Sequence, residues 1–99
     1  MKTVTICGSM KFSDEMKKIS FELESEKGYN VLQCTYNDSN IELNTKMLEN
    51  LKEAHFKKID LCDMIYVVDI DGYIGASVKK EIEYAKKLEK EIVFYSGGF

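Results

Sequence analysis

Five consecutive apolar residues, Met64-Ile65-Tyr66-Val67-Val68, constrain this chain more than any other stretch. A strand with one wet face alternates apolar and polar residues, so a run without alternation asks for cover on both faces, as in a parallel sheet between helix layers. The flanking segments supply that cover. Residues 3 to 7, Thr-Val-Thr-Ile-Cys, are β-branched and short and run into Gly8-Ser9, a strand stopped by a turn. Ser13 with Asp14 and Glu15 reads as a helix N-cap and acidic first turn. Met16, Ile19 and Leu23 carry that helix's apolar stripe, which ends at Lys27-Gly28, where glycine takes a left-handed C-terminal position.

Residues 30 to 34 give a second strand, and Asn37-Asp38-Ser39-Asn40 is a loop by composition. Met47, Leu48, Leu51, Ala54 and Ile59 recur at helical spacing and predict a helix over about 43–59. A third helix is expected over 76–90 and a last strand over 91–95. The order β-α-β-α-β-α-β, with about four strands, predicts an α/β fold, a small flavodoxin-like or Rossmann-like three-layer sandwich around a parallel sheet. No internal repeat, linker or low-complexity segment interrupts residues 1 to 99, which are expected to form a single domain.

Composition limits the partners. With 44% hydrophobic and 31% charged residues and a net charge of −3, acidic and basic side chains interspersed, no basic stripe points to polymeric nucleic acid. No apolar run approaches the ~20 residues of a membrane span, and the chain enters a strand-like pattern directly after Met1-Lys2, so the expected location is the cytoplasm and no membrane partner is expected. Cys7, Cys34 and Cys62 are odd in number and lack the spacing of a zinc or redox motif, and are expected to be buried free thiols.

In open parallel sheets, ligands bind beyond the carboxyl ends of the strands. Three stretches converge there: Cys7-Gly8-Ser9-Met10-Lys11, Asp69-Ile70-Asp71-Gly72-Tyr73, and the start of the third helix. At 100° per residue, Glu81 falls on the side of Val78, Ile82, Ala85 and Leu88, with no cation on its own helix three or four positions away. Glu83, by contrast, has Lys79 and Lys87 four residues to either side. A carboxylate on an apolar face costs several kcal/mol (~2–7) unless partnered or protonated. Glu81 therefore either serves a ligand or sits at the edge of the stripe, reaching water or a tyrosine hydroxyl.

The other candidates carry similar pairs of readings. Gly8-Ser9 before a helix is an anion-binding corner or a plain turn, without dinucleotide or Walker spacing. Asp69 and Asp71 could hold ribose hydroxyls or a metal, or cap a turn; no second carboxylate cluster supports a metal. His55, four residues from both Leu51 and Ile59, is a structural residue or a proton shuttle. Tyr73 is a stacking platform for a base or a surface aromatic.

Together, Val4-Thr-Ile-Cys-Gly-Ser-Met10, His55 with Lys58-Ile59 and Asp63, and "DGYIGASVKKEIEYA" resemble the nucleoside 2-deoxyribosyltransferase-like family. The resemblance runs through nearly the whole chain in order, the loop from Tyr36 to Leu43 contributing little. It implies a flavodoxin-like homodimer or larger homo-oligomer, without cofactor or metal, that cleaves the N-glycosidic bond of a nucleoside or nucleotide. By the same resemblance, Glu81 opens the Glu-x-x-x-Ala element as nucleophile, Gly8-Ser9 lines the sugar or phosphate side, and Gly75 and Ser77 belong to the loop closing over the pocket. Glu81 would attack the anomeric carbon, the base would leave with a proton, and water or a second base would resolve the glycosyl ester. A hydrogen bond from Tyr73, Ser77 or a substrate hydroxyl is expected to hold the carboxylate ionised.

Two departures from the family pattern stand out. The family carries an aspartate before the third strand to manage the proton on the base, and its nearest counterpart here is His55 or Asp60, with Asp69 and Asp71 as later substitutes. The tail Ser96-Gly97-Gly98-Phe99 either lends a residue to a partner's site or leaves the pocket more open. The rival reading of the same residues is a non-catalytic module that binds or senses a nucleotide-derived ligand.

Overall fold

The computed structural model describes residues 1 to 97. Its central strand is the apolar run, β3 (Met64–Val68), buried at every position. Met64, Tyr66 and Val68 face a core completed by Met16, Ile19 and Leu23, whereas Ile65 and Val67 face a second core with Ile59, Val78, Ile82 and Ala85. Both faces are thus covered, which is why this strand has no polar alternation.

β3 pairs in parallel with β1 (Thr3–Gly8) on one side and β4 (Glu91–Phe94) on the other, and β1 pairs with β2 (Asn30–Leu32). The sheet has four strands in the order β2-β1-β3-β4. Helix α1 (Ser13–Ser25) lies on one face, and α2 (Thr45–Leu61) and α3 (Ala76–Lys87) on the other. The α/β three-layer expectation holds.

Element ends differ in instructive ways. The serine whose side chain caps is Ser9 rather than Ser13: its Oγ accepts from Lys11 N at 3.3 Å and opens a 3₁₀ turn, Met10–Phe12, ahead of α1. Gly28 takes φ +71°, as expected for a left-handed helix end. α3 stops earlier than 90, because Glu89 turns left-handed at φ 57° and leaves Leu88 at the surface, 40% exposed.

The largest difference concerns α2. The helix is capped by Asn44, whose Oδ1 accepts from Met47 N at 2.8 Å, and of its apolar stripe only Ile59 is buried. Seventeen helical residues span about 25 Å, against about 17 Å for five residues of β3, so the helix must overhang the sheet. Its last turns pack on the core; its first two project past the carboxyl ends of the strands. Met47 and Leu48, part of the apolar spacing that predicts this helix, are exposed there.

Candidate active site

The overhang of α2, the start of α3, the Gly8 corner and the loop after β2 enclose a cavity of about 920 Å³ at the carboxyl edge of the sheet. That is ample for a nucleotide-sized ligand. Gly8, Ser9 and Met10 form one side, Gly75, Ala76, Ser77, Val78 and Glu81 another, and Leu48, Leu51, Lys52, His55 and Lys58 a third.

Glu81 points inward. Its side chain is 15% exposed, that of His55 is 13%, and Oε1 stands 3.2 Å from His55 Nε2. The same Nε2 lies 3.5 Å from Cys7 Sγ. With the proton on Nε2, the imidazole donates to the carboxylate and orients it, and burial strengthens the contact by excluding water. Cys7, fully buried at the end of β1, also hydrogen-bonds Glu81, and burial followed by the nearby Glu81 charge holds its thiol protonated, well above the usual cysteine range. Three elements far apart in sequence, β1, α2 and α3, therefore converge on one carboxylate. The group that holds Glu81 is His55, not Tyr73 or Ser77.

Gly8 itself is there for space. A Cβ on it would lie 2.7 Å from Met16 Sδ and 3.3 Å from Val68 O, so a side chain would force β1 away from β3 or α1. Gly75 precedes α3 without a side-chain cap, which leaves the first N–H groups of that helix directed at the cavity end.

The Asp69–Tyr73 turn does not join this cavity. Asp69 is buried at 5% exposure and committed to the chain's own end: Oδ1 accepts from Ser96 N at 2.9 Å and Oδ2 from Ser96 Oγ at 2.6 Å. Neither its catalytic reading nor its ribose reading fits a carboxylate so occupied. Asp71 is exposed, with φ 55° in a 3₁₀ turn, and Gly72 takes φ +76°. Both serve the turn. Tyr73 stacks edge-on to Phe12, and Lys11 Nζ sits 3.3 Å above its ring, so Tyr73 and Lys11 satisfy each other outside the cavity wall. Asp60 accepts from the Tyr84 hydroxyl and also lies off this cavity, so of the two proposed counterparts His55 is the one beside Glu81. Ser96 is the tail residue with a defined role, and Gly98 and Phe99 lie outside the described residues.

Sequence reasoning passed over the fourth wall, the loop after β2 with Cys34, Thr35, Tyr36, Asn37, Asp38 and Asn40. The loop is fastened from outside. Lys58 Nζ donates to Gln33 O at 2.8 Å and to Thr35 Oγ1 at 3.2 Å, Lys17 pairs with Asp38 at 2.8 Å, and Asn37 exchanges hydrogen bonds with Ile41. The Tyr36 hydroxyl is the one buried side-chain oxygen or nitrogen without a partner among the described residues. Burial pushes its phenol up to about 12, so it stays a donor. The available signal was the polar, aromatic loop preceding a helix too long for its strands.

Comparison with known proteins bears on the fold. No protein-family model and no curated protein matches the chain. Among solved structures, the CMP N-glycosidase BcmB of Clostridium botulinum superposes with a TM-score of 0.59 at 20% identity, covering 94% of this chain and 70% of that one. A conserved protein from Enterococcus faecalis V583 superposes with a TM-score of 0.65 at 16% identity, over 95% of this chain and 62% of the other. The α/β fold is shared with both. This chain spans roughly two thirds of the length of each.

Proposed function

We propose that the cavity cleaves the N-glycosidic bond of a nucleoside or nucleoside 5′-monophosphate, by hydrolysis or by transfer to a second base, with Glu81 as the attacking carboxylate. One observation carries this reading: Glu81 leaves the apolar face of α3 to stand in a cavity shared with Gly8-Ser9, held by His55 at 3.2 Å. The fold shared with a CMP N-glycosidase supports the substrate class.

In the proposed cycle a Glu81 oxygen bonds to the anomeric carbon as the C–N bond breaks, and the base departs with that electron pair and takes up a proton from solvent water. Water or a second base then attacks the same carbon, the ester bond breaks, and the carboxylate is restored. His55 orients Glu81 through the first step and, in the second, takes the proton of the incoming water and returns it to solvent. Gly8, Ser9 and the uncapped start of α3 accommodate the sugar and its 5′ group, where N–H groups and helix dipoles favour an anion. Tyr36, with Leu48 and Leu51, offers the base a flat apolar wall and one free donor. No cofactor takes part. The same reading extends to a homodimer, for which Met47 and Leu48 on the overhanging turns of α2 supply exposed apolar surface.

The test is incubation with a panel of nucleosides and monophosphates, assayed chromatographically for free base, with and without a competing base. Release abolished in Glu81→Gln supports the reading. Tight nucleotide binding without release, unchanged by that substitution, replaces it with a ligand-binding module. A preference for monophosphates that weakens in Ser9→Ala places the 5′ group at the first turn, and indifference to that change removes it from there.

A further inference from the structure

We propose that Cys7, His55 and Glu81 form a three-ligand site for a borderline-soft divalent cation, best matched by Zn²⁺, whose occupancy withholds Glu81 from substrate. The donor set is one thiol, one imidazole and one carboxylate, a mixture that suits zinc. All three ligating atoms lie within 4.8 Å of one another.

Two of the three ligand–ligand spacings are those of a tetrahedral ion. With Zn–S about 2.3 Å and Zn–N and Zn–O about 2.0–2.1 Å, tetrahedral angles put S and N about 3.6 Å apart and N and O about 3.3 Å apart. The structure has Cys7 Sγ to His55 Nε2 at 3.5 Å and His55 Nε2 to Glu81 Oε1 at 3.2 Å. One imidazole nitrogen aimed between a thiol and a carboxylate is the arrangement in which its lone pair meets an ion held by both. β1, α2 and α3 each supply one ligand, so the folded backbone has already positioned the set.

The fourth direction is open. His55 and Glu81 line the cavity while Cys7 lies fully buried behind them, so an ion would enter from the cavity side and keep a water there. Loading forms S–Zn, N–Zn and O–Zn bonds and releases one proton, that of the thiol, as the imidazole moves its own proton to Nδ1. With one oxygen bonded to the cation, the carboxylate loses electron density and its freedom to move, and Glu81 becomes a much weaker nucleophile toward carbon.

The inhibitory consequence rests on the function proposed above; the metal site does not. Chelator-treated protein is titrated with Co²⁺, a spectroscopic stand-in for zinc. We expect one Co²⁺ per chain, a near-ultraviolet thiolate-to-cobalt band and the visible bands of tetrahedral cobalt, all displaced by Zn²⁺. Cys7→Ser and His55→Gln should each weaken binding at least ~100-fold, whereas Cys34→Ser and Cys62→Ser keep the thiolate band. Absence of the band in the wild type, or its survival in Cys7→Ser, overturns the site. Should Cys7→Ser fail to fold, survival of tetrahedral cobalt in His55→Gln overturns it equally. In the activity arm, Zn²⁺ should suppress base release and a chelator restore it; base release unaffected by a bound ion overturns the inhibition. A protein that never releases base, yet gives the cobalt spectrum, fails the glycosidase reading and keeps the metal site.

Discussion

Two carboxylates near the carboxyl edge of one sheet meet opposite fates. Asp69, directly after β3, is buried with both oxygens occupied by Ser96, and it closes the end of the sheet against the chain's own last turn. Glu81, a turn and a half into α3, is comparably screened from solvent but has only one imidazole and one thiol for partners and faces open cavity. A buried carboxylate with an intramolecular donor on each oxygen and no cavity in front of it is structural. One held from a single side, with space in front of it, can react. Proximity to the sheet edge does not distinguish the two; the open cavity in front of Glu81 does.

The sharpest way to break this contrast is to neutralise each group in turn. Glu81→Gln keeps the shape and removes the nucleophile, and should lower the rate of base release at least ~1,000-fold with little change in the thermal midpoint. Asp69→Asn should do the reverse. Losing one charge-assisted acceptor in a buried site costs about 1–3 kcal/mol of stability in a denaturant titration, while turnover stays within about threefold. A large activity loss from Asp69→Asn with unchanged stability would erase the distinction.

How much of this the sequence disclosed follows from the range of the forces involved. β3, the parallel order of strands, Gly28 and the inward lean of Glu81 rest on local periodicity, and the structure agrees with them. The commitment of Asp69 to Ser96 does not, because the two are joined only by folding: an aspartate after an apolar strand reads the same whether it meets a ligand or a serine from the next strand's end. The α2 stripe misled for a different reason. Leu48 and Leu51 have core spacing, but a helix longer than its strands carries part of that stripe beyond the sheet, where it becomes a cavity wall. Tyr73 had the residue type of a stacking platform and is taken up by Lys11 and Phe12, neighbours in space that no spacing rule names.

The thiols sharpen the comparison from the pH side. Burial pushes the Cys34 thiol up to about 12 from an ordinary value of 9.0, so between those limits the unfolded chain has lost a proton that the folded one keeps. The stability tied to it is complete below pH ~9 and is lost as pH rises, at about 1.4 kcal/mol per pH unit. Denaturant midpoints recorded from neutral to strongly alkaline pH should fall less steeply for Cys34→Ala than for the wild type, and parallel curves would contradict the buried neutral thiol.

The smallest effect is expected at Tyr73. Its ring meets Lys11 and Phe12 at the surface, 45% exposed, so Tyr73→Ala should change stability by less than about 1 kcal/mol and base release by no more than about twofold. A tenfold or greater rise in KM would return the Asp69–Tyr73 turn to the substrate site.

The claim beneath all of this is that Glu81 bonds to carbon. Acid-quenching the protein during turnover of a nucleoside monophosphate and mass-mapping its peptides reads that bond directly. The account predicts a glycosyl adduct on the peptide containing Glu81, absent from Glu81→Gln and chased away by excess second base. Sustained base release with every peptide unmodified, or an adduct on any other side chain, would contradict it.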